Sequence, residues 1–285
     1  MIDRSILIVA EAALQRLQEP DWVAVDCRSD LADPSAGQAM YEAGHIPAAV
    51  FLDQDRDLAG PITGSSGRHP LPDVDAIVER LQILGIGNAS KVVVYDGNSG
   101  ALAARAWWIL RWLGHEDVYL LDGGLERWGA LGYALEKGTV TKQPARFIPR
   151  VRDHMVLSTA ELEADIEGIP LLRLLDARDA VRFCGEKEPI DRVAGHVPGA
   201  RNLPYKAFVN ADGTWRSLEE RRSRLLAALD EEAGRPWSVM CGSGVTACHL
   251  AITGVEAGLP EPRLYVGSWS EWIRDEKRPI GLGFD

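Results

Sequence analysis

Trp237-Ser238-Val239-Met240-Cys241-Gly242-Ser243-Gly244-Val245-Thr246-Ala247-Cys248 decides the reading of this chain. A short apolar run ends at Cys241, and two glycines and two hydroxyl residues follow before a helical pattern begins at Ala247. The pattern reads as strand, tight loop, helix, with a cysteine at the first loop position. Glycines let such a loop curl so that its backbone N–H groups point inward. The start of the next helix adds unpaired N–H groups and a positive dipole end. A thiol placed there ionises more readily, as a nucleophile requires.

Working outward, the elements around this stretch occur twice. The second half carries Leu174-Leu175-Asp176-Ala177-Arg178, then Gly195-His196-Val197-Pro198, the cysteine loop, Tyr265-Val266-Gly267-Ser268 and Glu271-Trp272. The first half carries, in the same order, Val25-Asp26-Cys27-Arg28, Gly44-His45-Ile46-Pro47, Val92–Tyr95 with Asp96-Gly97, Leu121-Asp122-Gly123-Gly124 and Glu126-Arg127-Trp128. A repeat of this length is a duplicated domain and not a solenoid of short units. Each copy alternates short apolar runs with helical patterns at Leu102–Leu113, Ala247–Ala257 and 159–167, the last opened by the capping box Ser158-Thr159-Ala160-Glu161. This predicts an α/β fold: two tandem domains, each a central, mostly parallel sheet flanked by helices. The expected boundaries are 1–138, a linker at 139–155, and 156–285.

The copies differ where chemistry is expected. Asp96 stands in place of Cys241, and the loop Asp96-Gly97-Asn98-Ser99-Gly100 is one residue longer before its helix. An aspartate cannot carry sulfur, so the first copy is read as inactive and as a wall for the site of the second. His45 and His196 recur in both copies, including the one without a cysteine, and so read as braces of the fold. Asp26 and Asp176 read likewise, Trp269 and Trp272 as core, and Cys248 as a small buried residue.

Composition narrows the function classes. The chain has 285 residues, 46% hydrophobic and 26% charged, as globular proteins do, and a net charge of −11 argues against a nucleic-acid partner. No stretch approaches a membrane span. The N-terminal apolar run is interrupted by Glu11 and makes a poor signal peptide. Four cysteines without C-x-x-C spacing suit neither zinc nor a disulfide scaffold. No cofactor or metal is expected, and the reading is a reduced, cytoplasmic protein.

These residues resemble the two-domain rhodanese-like sulfurtransferases over nearly the whole chain. Cys241-Gly242-Ser243-Gly244-Val245-Thr246 is similar to the loop of 3-mercaptopyruvate sulfurtransferases, whereas thiosulfate-preferring members carry basic residues straight after the cysteine. The resemblance implies that Cys241 attacks the sulfur of a small donor and holds it as a persulfide. A thiol such as thioredoxin, or cyanide, then accepts it. The N–H groups from Gly242 through Gly244 and Val245 to Thr246 would stabilise the anionic sulfur. Arg182 and Arg192, ten residues apart, would hold the carboxylate and keto group of the donor. Ser243, with His69 and Asp55 from the first half, would form a proton relay like that of a serine protease.

Three alternatives stand beside this reading. One is thiosulfate:cyanide sulfur transfer. A second is a cysteine phosphatase, which the alanine at position 247 opposes, because the arginine of a Cys-x5-Arg loop would stand there. The third is a non-catalytic sulfur-binding module.

Overall fold

The computed structural model describes residues 5–30, 33, 35–167 and 173–284. Leu172, two residues before the apolar run quoted for the second copy, and Met1–Arg4 at the N-terminus lie outside the described residues. The chain divides into two compact units. Unit 1 holds residues 1–60, 71–152 and 209–215, and unit 2 holds 61–70, 153–208 and 216–285. Residues 61–70 thus count with unit 2 and 209–215 with unit 1, and the stretch 139–155 divides between the units after 152.

Unit 1 is built on β1 (Leu7–Ile8), β2 (Trp22–Asp26), β3 (Val50–Phe51), β4 (Lys91–Tyr95) and β5 (Val118–Leu121). All pair in parallel, in the order β1-β5-β4-β2-β3. Unit 2 repeats this with β6 (Val156–Leu157), β7 (Arg173–Asp176), β8 (Arg201–Asn202), β9 (Trp237–Met240) and β10 (Arg263–Tyr265), in the order β6-β10-β9-β7-β8. The central strands are continuous apolar runs because both faces are covered: every residue of β2 and of β9 is buried.

The helices of unit 1 are α1 (Ala10–Arg16), α2 (Ala36–Ala43), α3 (Val74–Ile83), α4 (Ala103–Trp112) and α5 (Gly124–Ala130). Unit 2 has α6 (Thr159–Glu167), α7 (Ala180–Phe183), α8 (Leu218–Ala228), α9 (Ala247–Glu256) and α10 (Ser268–Trp272). The box at the start of α6 is formed: the Ser158 N–H donates to Glu161 Oε2 at 3.0 Å, and the Glu161 N–H donates to Ser158 Oγ at 3.3 Å. Among the described residues, no helix is long and apolar enough to cross a membrane.

The repeated Asp-x-Arg and Gly-His segments form one brace in each unit. Asp26 pairs with Arg28 at 2.6 Å, and Arg28 donates to the Gly44 carbonyl at 2.7 Å. Asp176 pairs with Arg178 at 2.6 Å, and Arg178 donates to the Gly195 carbonyl at 2.7 Å. The histidine that follows each glycine is buried, its Nδ1 within hydrogen-bonding distance of a main-chain carbonyl, Tyr41 O at 2.8 Å and Phe183 O at 3.0 Å. Each ring also stacks on the same residue's side chain, at 4.1 Å and 3.9 Å. Ion pairs this deep are retained only when well hydrogen-bonded, so these residues fix the loops that follow β2 and β7.

Candidate active site

In unit 2 the carboxyl ends of β7, β9 and β10 lie side by side, with Asp176 opposite Met240 and Leu264 opposite Val239. The segments leaving these ends build the site, as in open α/β sheets generally. Cys241 follows β9 directly and is 2% exposed. Its N–H donates to Ser268 Oγ at 3.1 Å, and its carbonyl accepts from the Trp269 N–H at 3.0 Å. The next carbonyl, of Gly242, accepts from the Ser270 N–H at 2.9 Å. Ser268 makes its contact from a left-handed backbone, φ 51°, a conformation that costs a non-glycine residue about 1–2 kcal/mol. The first turn of α10 thus clamps the cysteine backbone.

Beyond Cys241 the chain curls, with Gly244 at φ 78°. Among the described residues, the N–H groups of Gly242, Ser243, Val245 and Thr246 meet no protein acceptor. The corresponding loop of unit 1 indicates what such a curl takes. There the Asp96 carboxylate accepts from the N–H groups of Asn98, Gly100, Leu102 and Ala103, at 3.1, 2.9, 2.8 and 3.3 Å. Burial pushes the Asp96 carboxyl above its ordinary range, and the four amide donors offset only part of that push. Unit 1 fills its own amide cradle with a side chain, whereas among the described residues the Cys241 loop leaves the N–H groups of Gly242, Ser243, Val245 and Thr246 without a protein acceptor.

Two guanidinium groups stand over Gly242. A Cβ added there would lie 2.9 Å from Arg68 Nη2, and 3.4 and 3.6 Å from Arg182 Nη2 and Nη1. Arg182 lies in α7 and is held by both oxygens of Glu188 at Nε, 2.9 Å each, and by Asp191 at 3.0 Å. Asp191 pairs through its other oxygen with Arg68. Glu188 also accepts the N–H groups of Ile190 and Asp191 and so shapes the loop that carries Asp191. Arg68 Nη2 and Arg182 Nη1 meet no protein acceptor among the described residues. Burial lowers the affinity of Arg68 for its proton, and a thiolate at Cys241 would act in the opposite direction.

Arg192, expected as the second arginine of the donor site, donates through its guanidinium to the Ile273 carbonyl, just past α10, and pairs with Glu276 at 3.1 Å. The guanidinium beside that of Arg182 over Gly242 belongs to Arg68, the residue directly before His69. The signal was there: a basic residue directly before a candidate relay histidine.

His69 belongs to the same unit as the cysteine. It is 5% exposed, and its Nδ1 lies 2.8 Å from Ser243 Oγ. The segment that brings it there is tied down by the Arg68 N–H to Ser270 Oγ at 3.0 Å and by Arg274 Nε to the Ser66 carbonyl at 3.1 Å. Gly67 permits the close approach, since a Cβ there would lie 2.5 Å from the Gly267 carbonyl oxygen. Asp55 lies in unit 1, in an exposed turn after β3, with its N–H donating to Asp53 Oδ1 at 2.9 Å. Cys184 and Cys248 donate to local carbonyls, Val181 at 3.7 Å and Gly244 at 3.3 Å. Among the described residues, no cluster of His, Cys, Asp and Glu is arranged to hold a metal ion.

The family model described as a rhodanese-like domain matches twice, at residues 9–131 and 158–275. A Pseudomonas aeruginosa protein named "Probable 3-mercaptopyruvate sulfurtransferase" is 47% identical over 97% of this chain and 98% of its own length. An Arabidopsis thaliana protein named "Thiosulfate/3-mercaptopyruvate sulfurtransferase 1, mitochondrial" is 33% identical over 93% of this chain and 75% of its own. The solved structure of a 3-mercaptopyruvate sulfurtransferase from Leishmania major superposes with a TM-score of 0.85 at 30% identity, covering 95% of this chain and 75% of that one. Duplicated sheets, a cysteine at the end of the central strand of the second and two matches to one model together make this chain a member of the rhodanese-like family, with two such domains in tandem.

Proposed function

We propose that this protein is a sulfurtransferase that moves sulfur from 3-mercaptopyruvate to a thiol or cyanide through a persulfide on Cys241. One observation carries the reading: among the described residues, the N–H groups of Gly242, Ser243, Val245 and Thr246 and two guanidinium nitrogens over Gly242, Arg68 Nη2 and Arg182 Nη1, meet no protein acceptor. That arrangement suits a small donor with a carboxylate at one end and sulfur at the other.

The Cys241 thiolate attacks the donor's mercapto sulfur. A sulfur–sulfur bond forms and the donor's carbon–sulfur bond breaks. Its electron pair leaves with carbon as the enolate of pyruvate. The donor thiol's proton passes to that carbon through Ser243 and His69, which are 2.8 Å apart. The charge left on the outer sulfur is stabilised by the loop N–H groups of Gly242, Ser243, Gly244, Val245 and Thr246. Arg182 and Arg68 hold the carboxylate. Asp55 as the partner that orients His69 rests on the family resemblance. An acceptor thiol, with thioredoxin as one candidate, or cyanide then takes the outer sulfur and regenerates the thiolate. A reducing, cytoplasmic setting fits the cysteine usage of the chain, four in 285 residues.

The test is mass spectrometry of the Cys241 peptide after treatment with 3-mercaptopyruvate. The peptide should gain one sulfur atom while pyruvate is released. Equal labelling of Cys241→Ser, or pyruvate release without labelling, overturns the assignment. The dual name of the Arabidopsis relative favours thiosulfate as a second donor. In that case sulfite replaces pyruvate as the product.

A further inference from the structure

We infer that Asp191 sets the charge selectivity of the donor site, favouring a donor with one negative charge over one with two. This rests on the sulfurtransferase reading and adds a specificity-determining residue to it.

Two cations face Gly242, Arg68 and Arg182, and two carboxylates hold them, Glu188 and Asp191. The formal sum is zero before a donor arrives. The neighbouring Arg178 also lies 3.6 Å from Glu188, but it brings its own counter-charge, Asp176 at 2.6 Å, so the formal sum stays zero. Cys241, when ionised for attack, makes the site net negative. A monoanion such as 3-mercaptopyruvate can use the open nitrogens Arg68 Nη2 and Arg182 Nη1. A dianion such as thiosulfate uses the same nitrogens but meets twice the repulsion from the carboxylates and the thiolate.

The two carboxylates have different tasks. Glu188 is tied into the backbone through Ile190 and Asp191 and closes the loop. Among the described residues, the Asp191 side chain accepts from the two guanidiniums alone, one on each oxygen. It is 5% exposed, so water screens its charge little. Removing that charge therefore changes the field at Gly242 while leaving the loop's own hydrogen bonds in place. Asp191 acts through Arg68 and Arg182 and touches no donor atom, which makes it a positioning residue.

The experiment measures kcat/KM for 3-mercaptopyruvate (pyruvate release) and for thiosulfate (sulfite release) at matched ionic strength, with cyanide as acceptor. The readout is the thiosulfate-to-mercaptopyruvate ratio. Asp191→Asn should raise that ratio at least tenfold, about 1.4 kcal/mol, and Asp191→Glu should return it toward wild type. Arg68→Gln removes a positive charge and should move the ratio the other way, so the idea does not depend on one variant folding. A purely structural Asp191 predicts that both donors fall in parallel. That result, or opposite charge changes moving the ratio in the same direction, overturns the inference. A wild-type protein that loads Cys241 normally while the ratio stays unmoved refutes this inference alone. A wild type that loads no sulfur from either donor refutes the sulfurtransferase reading, and this inference with it.

Discussion

Replacing Gly242 with alanine separates the anion clamp from the fold. The added methyl would sit 2.9 Å from Arg68 Nη2 and 3.4 Å from Arg182 Nη2. Both obstacles are ends of long side chains, which can swing away. Gly242 does not occupy the left-handed region, so alanine fits its backbone. A compatible Gly→Ala change stabilises by about 0.4–1 kcal/mol by restricting the unfolded chain. Stability should therefore hold or rise slightly. Catalysis should not hold, because the nitrogens that meet the donor are pushed off the site. Losing one charge-assisted hydrogen bond costs about 1.5–3 kcal/mol, or roughly 10- to 150-fold in kcat/KM for 3-mercaptopyruvate. Most of this should appear in KM, since the carboxylate is bound in ground and transition states alike. Urea unfolding and steady-state pyruvate formation measure the two quantities independently. An unchanged kcat/KM would show that the guanidiniums over Gly242 do not hold the donor. A stability loss above about 2 kcal/mol would show that the loop is packed more tightly than the clearances imply.

The same substitution at Gly254 should do the reverse: its Cβ would meet the buried Trp237 ring at 2.2 Å, so overpacking should destabilise by about 1–3 kcal/mol, as urea unfolding would show. Ser243→Ala and His69→Asn should each lower kcat about 100-fold or more with 3-mercaptopyruvate, and the double variant should be little worse than either single one; additive losses would mean the pair is not one relay. Arg192→Ala should leave KM within about twofold, because its exposed pair with Glu276 is worth at most about 1 kcal/mol; a large rise would restore it to the site. The Ser158 hydroxyl and N–H hold Glu161 down at about 2, against an ordinary 4.5. A lowered carboxyl stabilises fully above its unfolded value and loses that contribution as pH falls toward the folded one. Wild type should therefore exceed Glu161→Gln in urea midpoint at pH 7, with the gap closing from about pH 4.5 toward pH 2.

The duplicated order of apolar runs and Gly-His segments made both sheets legible, because parallel strands buried on both faces leave continuous hydrophobic runs such as Val92–Tyr95. The cysteine loop was legible because glycine and cysteine types are chosen by backbone shape and reactivity, which are local. Ion-pair partners were not legible. Arg192 and Arg68 differ little in sequence context, and which one reaches Gly242 depends on Asp191, Glu276 and the end of α10. The assignment of residues 61–70 and 209–215 to the opposite units is a property of packing, with no mark in local periodicity. His69 was a candidate on resemblance alone; its 2.8 Å approach to Ser243 depends on Gly67 fitting against Gly267, a long-range match invisible to spacing rules.

Asp96, satisfied by four amides of its own loop, gives the molecule a built-in blank. Nitrogen-labelled protein titrated with donor should shift the resonances of residues 242–247 while those of 98–103, already saturated by a tethered carboxylate, stay still. Solvent, salt and temperature drifts would touch both sets alike. A single spectrum would thus carry signal and reference from the same duplicated loop, with no second sample needed.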